Sequence, residues 1–464
     1  MKLKRILGLL IVIALTLSLT VGCNGEDPVP PDGGNQPDAD DNIRDLGGLN
    51  IDVGVFWSPD TTEPTTGYGR AVLEYREYIQ EKHNFTIQER ETGSHGDHAD
   101  TIAASTLADK PVALINKVDP NRVVSLIRNN MFFDVGSLST DLTAPKWNSH
   151  VHAAMQFDGG IFGFVQGYNQ FNAGVVFYNK DVLREAGFDP YLPYDLQAAN
   201  EWTWDAMMEI AQAVTRDSRN TGIIDTFGFC TFSNRTVLSA LFSNGARFIG
   251  KDETGRFYNA ANGSNAFLQA FDHVRNFATL ELLQPQPEGA NWDWWRDGFR
   301  EGNAAFLIYE EYGKDDFTNV PFNWGMVLYP RGPDMDTLMA IYYENINTIP
   351  NNKSMTAELA DDILFAFDLF TNEPPGYEDD TEAWKYDLYE RYRDSRAVDE
   401  TVAMIRSGNH SQLRLDQFVP SFEPGRVAWE VWNFEATGAQ LLEEASQEWN
   451  EHIASANRSI FGDD

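Results

Sequence analysis

The chain is short of cysteine and of positive charge. Of its 464 residues only two are cysteine, Cys23 and Cys230, so at most one intramolecular disulfide could form. Lysine and arginine number 35 against 70 aspartates and glutamates, a formal net charge of −35. So acidic a surface repels nucleic-acid phosphates and anionic lipid headgroups, and neither is expected as a partner. Short catalytic motifs are missing as well. No G-x-S-x-G, H-E-x-x-H or phosphate loop occurs, and no cofactor or resident metal is expected. Beyond residues 6–19 there is no apolar run long enough to suggest a membrane span.

That run is itself too short to span. Lys2, Lys4 and Arg5 precede it, and small residues lead from it into Cys23, the layout of a secretory signal over residues 1–22. The stretch "LTVGC" resembles the lipobox of bacterial lipoproteins, although Thr20 stands where leucine is commoner. The resemblance implies that Cys23 is lipidated and becomes the first residue. An ordinary secreted protein cleaved nearby is the alternative. Residues 24–47 are rich in Pro, Gly and Asp and offer no core, so residues 23–47 read as a lipidated cysteine and an acidic, disordered tether. At about 3.3 Å per residue the tether would reach roughly 80 Å. Cys230 would then be the only thiol, and its apolar setting "FGFCTF" predicts burial. The expected location is the outer face of the cell membrane, held by lipid alone, as a monomer.

The remaining body, roughly 415 residues, is too large for one simple core and suggests two lobes. "NIDVGVF" (50–56) alternates as a strand does, "RAVLEYREYIQEKH" has helical spacing, and "FTIQERE" reads as a second strand. "DHADTIAASTLAD" predicts a helix and "PVALINK" a third strand. Strands alternating with helices predict a parallel sheet, whose ligands sit beyond the strands' carboxyl ends. Trp57, Asp60, Gly93, Ser94, His95, Asn116 and Lys117 fall there. A second region starts at "AGVVFYNKDVLREAGFDP", with Gly187 at a helix C′ position. Thr203 is placed to cap the helix of "WTWDAMMEIAQAVTRDS", with Asp205 in its first turn. "TFGFCTF", "AAFLIYE" and "FNWGMVLYP" are further strands and "TAELADDILFAFDLFT" a further helix. From about Pro375 the chain reads as mostly helical.

The run "GVVFYNKDVLREAGFD…WTWDAMMEIAQAVTRDSRNTGIIDTFGF" resembles the extracellular solute-binding proteins of carbohydrate ABC importers, the family of the maltose-binding protein. "FREGNAAFLIYEEYG" and "WGMVLYPRGP" are similar to later segments of that family, in the same order. Val112 stands where the family usually has aspartate. The resemblance implies an α/β, two-lobe periplasmic-binding-protein-like fold (type II), with a ligand cleft between lobes joined by crossing hinge segments. It puts lobe 1 at 48–168 and 326–372 and lobe 2 at 180–320 and 376–464. It also implies a small-molecule carbohydrate as ligand, ABC transporter permease subunits as partners, and no enzymatic reaction.

A pyranose has an apolar C–H face that suits an aromatic ring, and hydroxyls that suit planar polar side chains. Tyr168, Asn169 and Asn172 precede the first crossing; Asn244 follows a helical run; Glu310, Glu311 and Tyr312 follow a strand; Tyr342, Tyr343 and Glu344 lie near the lobe junction. With Trp57, Asp60, Ser94 and Asn116 they supply the candidate ligand set, and the resemblance makes Tyr312 the stacking ring. The tryptophan-rich "NWDWWRDGFREGNAAF" (291–306) is read as scaffold: a helix over 291–301 puts Trp292, Trp295 and Phe299 on one core-facing side, with Trp294 pointing elsewhere. "DSRNTGIID" (217–225) has the sixth-position glycine of a calcium loop. Arg219 and Thr221 replace its usual ligands, which favours a turn linker. His95 and His98 beside Asp97 and Asp100 form either a metal cluster or a solvated loop. Rival functions are a secreted carbohydrate-active enzyme using a carboxylate pair such as Glu310 and Glu344, or a receptor for peptides or polyamines.

Overall fold

The computed structural model describes residues 43–462 apart from Asp60 and Asp379. The signal, Cys23, most of the tether and Asp60 therefore lie outside the described residues. Eight strands build the two main sheets: β1 (Leu49–Val55), β2 (Phe85–Glu91), β3 (Ile115–Val118), β4 (Gly174–Asn179), β5 (Phe227–Phe229), β6 (Ala304–Glu310), β7 (Trp324–Leu328) and β8 (Ile346–Thr348). The first sheet runs β8-β3-β1-β2 and the second β7-β4-β6-β5.

In the first sheet β1 pairs parallel with β2 and β3, as the strand–helix alternation predicts. β8 is antiparallel to β3, and three residues, "INT", carry too little pattern to foresee it. In the second sheet β4 is antiparallel to both β6 and β7, while β5 is parallel to β6. β4 and β6 are buried at every position, which is why each reads as an unbroken apolar run.

Local signals hold where a cap or turn dictates them. Thr203 accepts the Ala206 amide and starts the Trp204–Val214 helix, with Asp205 in the first turn. Gly187 sits at φ +90°, the left-handed position after the Lys180–Glu185 helix that other residues avoid. One core forms around the first sheet, where Ile51, Val53 and Ile115 meet Ile79, Ile363, Leu364 and Phe367. The larger core surrounds the second sheet and continues to Val118, Val123 and Phe132. The C-terminal helix Gly438–Phe461 closes it there, packing on the Pro120–Arg128 helix.

Three expectations need correction. Residues 44–46 do not read as tether: Leu46 is buried in the first core, and Arg44 bonds Asp361 and Asp362 at 2.9 and 2.8 Å. Of the two large apolar side chains near the end of that stretch, Ile43 stays exposed and Leu46 enters the first core. The strand at 324–328 does not begin a return to lobe 1 at 326, because β7 pairs with β4 from Trp324↔Asn179 to Leu328↔Val175. The chain rejoins the first sheet at β8. The C-terminal part is mostly helical as expected, with helices Pro424–Trp432 and Gly438–Phe461, and what it adds is a strand, Ser411–Leu413, parallel to Ala340–Tyr342.

The third concerns the tryptophans. The helix starts at Trp294, so Trp292 precedes it and is 79% exposed. Trp295 and Phe299 are core, and Trp295 stacks on Phe232 with ring centroids 4.4 Å apart. Trp294 is half-buried against the same core and is not a rim of the cleft. Cys230 is fully buried, its thiol donating to Trp295 O, and burial raises its pKa.

Candidate functional site

β1 ends at Val55, and the chain turns into Phe56 and Trp57. β2 ends before His95, and β3 before Asp119. All four lie beyond carboxyl ends of the first sheet and line one wall of a cleft of about 1340 Å³. The facing wall comes from the second sheet. Because β4 is antiparallel to β6, Gly174 pairs with Glu310, so the start of β4 and the end of β6 share one edge. Phe171 and Asn172 enter from the first and Tyr312 from the second. The floor is made by connecting segments: Gln166–Asn169 before β4 and Tyr343–Asn345 before β8.

Aromatic faces stand on both sides. Phe56 and Trp57 meet edge-on at 4.9 Å, and Phe171 lies tilted on Tyr312 at 5.2 Å. Tyr312 Oη shares a hydrogen bond with Tyr309 Oη at 2.8 Å, and burial together with that bond raises its pKa. Tyr168 is fixed by Ser149 Oγ at 2.7 Å and by close packing on Gly408, where any Cβ would strike the ring.

Between the aromatics are polar groups with spare bonding capacity. Arg235 donates from Nη2 to Glu310 Oε1, yet its Nε and Nη1 are buried without partners. Burial first, then the like charge of Arg414, brings the Arg235 pKa down to about 10. Arg414 itself is held by Asp416 at 2.5 Å. Glu344 accepts the Asn345 amide at 3.2 Å on Oε1 while Oε2 has no partner, and burial pushes its pKa up to about 8. Asn347 Oδ1 and Gln417 Oε1 are likewise buried and unpartnered. Such groups cost about 1–3 kcal/mol each when left unpaired, so a ligand that supplies partners is rewarded.

Of the predicted ligand residues, Trp57, Tyr168, Asn172, Tyr312 and Tyr343 line this cleft, with His95, Lys117, Asn169 and Glu344 beside them. Four others do not. Ser94 is exposed and bonds Asp97 at 2.7 Å. Asn116 is 1% exposed and lies against Gly54, where a Cβ would come within 2.8 Å of its Oδ1. Asn244 is wholly buried and ties Ala266 O, Gln269 Oε1 and the Asp334 amide together. Glu310 acts through Arg235. Glu311 is taken by Lys314 at 3.1 Å and by Tyr392, and Tyr342 by Asn148 and His150, so these are internal struts. Sequence reasoning missed Arg235, Arg406, Arg414 and Gln417. Arg235 sits in a helix with no motif around it, and the others come from the C-terminal part that reads only as helical.

The other metal suggestions resolve locally. His98 is buried between Thr92 Oγ1 at 2.9 Å and Lys117 O at 3.0 Å, whereas His95 meets Asp119 at 3.1 Å. In the 217–225 loop Asp225 pairs with Arg219 at 2.5 Å and Asp217 accepts the Gly222 amide. No group of three or more metal-ligating side chains occurs among the described residues. Nor is any helix among them long and apolar enough to cross a membrane.

Two α/β lobes, crossing segments between them, and a polar-aromatic cleft at the junction define a ligand-capturing protein of the two-lobed binding type. Residues 72–354 match the model of the bacterial extracellular solute-binding protein family, and the chain belongs to that family. No curated protein matches it. Among solved structures it is similar to the cyclic α-maltosyl-1,6-maltose binding protein from Arthrobacter globiformis, with TM-score 0.61 and 14% identity over 88% of this chain and 100% of that one. It is also similar to UgpB from Mycobacterium tuberculosis in complex with glycerophosphocholine, with TM-score 0.58 and 14% identity over 88% and 99%. A third is the ABC substrate-binding protein Lmo0181 from Listeria monocytogenes in complex with cycloalternan, with TM-score 0.53 and 17% identity over 88% and 99%. At these identities the shared feature is the fold, a two-lobe periplasmic binding protein of the maltose-binding-protein type.

Proposed function

We propose that this protein captures an oligosaccharide in the cleft and delivers it to the permease of an ABC importer, without chemical change to the sugar. The observation that carries the reading is the cleft lining itself. Aromatic faces from both walls alternate with buried, unpartnered donors and acceptors, which matches the two chemistries of a pyranose. The volume, about 1340 Å³, exceeds the range of roughly 300–1,000 Å³ for ordinary small-molecule pockets and suits several rings. Two of the similar structures named above are described by cyclic oligosaccharides. A ligand touching both walls would favour a closed arrangement by its differential contacts.

In this reading residues 1–22 are a signal, Cys23 is the lipid anchor, and the stretch up to about residue 42 is the tether, leaving a monomer outside the cell membrane. The first lobe then comprises about 43–165 and 346–372, and the second about 174–342 and 376–462. An oligosaccharide panel read by thermal shift and calorimetry tests the proposal. Saturable stabilisation by at least one oligosaccharide is expected, with the sugar recovered intact. Stabilisation only by peptides, amines or phosphodiesters would refute it, as would turnover of a bound glycan.

A further inference from the structure

This inference rests on the proposed capture of a sugar and concerns its chemical class. Across the chain acids outnumber lysine and arginine 70 to 35. The cleft inverts that ratio. Among the described residues Lys117, Lys146, Arg235, Arg406 and Arg414 line it, with Asp119, Glu344 and Glu373 as the acids beside them. Burial also keeps Glu344 mostly neutral at pH 7. Guanidinium and ammonium groups also donate to neutral hydroxyls, so the number of cations alone does not set the class of sugar. An anionic sugar, repelled by the acidic body, needs a cation within a Debye length, about 8 Å at physiological salt, that the protein has not already paired.

Four of the five cations are balanced from within the protein. Lys117 pairs with Glu89 at 2.7 Å, Lys146 with Asp368 at 2.7 Å, Arg235 with Glu310, and Arg414 with Asp416. Arg406 has no ion pair among the described residues. It donates to Gln170 Oε1 at 3.3 Å and lies over the Trp384 ring at 4.5 Å. Glu373 makes no ion pair with it and acts on it through space, its Oε2 accepting the Tyr68 hydroxyl at 2.6 Å. A partly buried guanidinium with no ion pair is costly, and a ring face offsets only part of that cost. Its planar fork matches a carboxylate better than a hydroxyl.

We propose that the captured sugar is acidic, carrying a carboxylate or another oxyanion that pairs with Arg406 beside Ser407 and Tyr168. The test compares uronate oligosaccharides of two to four units with their neutral hexose counterparts, with sulfated oligosaccharides as a further arm, all by calorimetry. Arg406→Gln and Arg406→Lys are measured alongside, with melting curves to establish folding. At least one acidic oligosaccharide should bind the wild type tenfold or more tighter than its neutral counterpart, and more weakly as salt rises. Arg406→Gln should lose that preference and Arg406→Lys retain part of it. A preference confined to the sulfated arm supports the oxyanion and names sulfate as its source. If Arg406→Gln fails to fold, the wild-type preference and its salt dependence still decide. Neutral sugars binding as tightly as acidic ones would overturn the acidic class and leave sugar capture standing. Absence of binding by every carbohydrate would sink both.

Discussion

Glu344→Gln is the most informative single change in the cleft. The Glu344 side chain is 5% exposed and its Oε2 has no partner, so ionisation places a poorly solvated charge at the lobe junction. Burial raises its pKa from 4.5 to about 8, partly opposed by Lys117 and the Asn345 amide. A carboxyl raised in the folded state contributes stability that is fully present below the unfolded value and is lost as pH climbs through the folded one. Over the window from 4.5 to about 8, at about 1.4 kcal/mol per pH unit, the ceiling is roughly 5 kcal/mol. Water entering the cleft reduces this, and about 2–3 kcal/mol is expected. Glutamine has nearly the same shape and never ionises. The wild type should therefore lose about 2–3 kcal/mol more stability than Glu344→Gln between pH 5 and 9. Urea unfolding of both proteins at pH 5, 7 and 9 measures the difference, and groups such as His150 cancel in it. Parallel pH profiles for the two proteins would refute the reasoning.

Tyr312→Ala should weaken sugar binding by about 1–3 kcal/mol with little change in the melting curve, whereas Trp295→Ala should cost about 3–5 kcal/mol of stability. Calorimetry and melts on both variants test this, and a stable Trp295→Ala that fails to bind would reverse the assignment. Asn244→Ala removes three internal hydrogen bonds and should cost about 2–3 kcal/mol while leaving the dissociation constant unchanged. A chain starting at residue 48 should be about 2–3 kcal/mol less stable in urea than one starting at residue 43, because Leu46 leaves the first core. Cys23→Ser should be released from membranes or left unprocessed in a fractionation experiment; unchanged membrane retention after processing would count against the lipid anchor.

The sequence by itself determined most of the elements. β1, β4 and β6 follow from alternation or unbroken apolar runs, and the helix at 204–214 from its threonine cap, because these signals act within a few residues of chain. The strand–helix alternation also placed Trp57 at a strand's carboxyl end, and the family resemblance pointed to Tyr312. What only the tertiary structure decided depends on residues far apart in sequence. β7 is apolar enough for either sheet, and only its pairing with β4 assigns it to the second. Trp292 differs from Trp295 in where the helix begins, which the packing of Phe232 and Tyr309 settles. Asn244 and Asn172 look alike as loop amides. One is used up by Ala266, Gln269 and Asp334, while the other faces the cleft. Arg235, Arg406 and Arg414 carry no motif, and their convergence exists only once distant segments have folded around one cavity. A side chain's type states what it can bond, but the neighbours that leave those bonds free come from the whole fold.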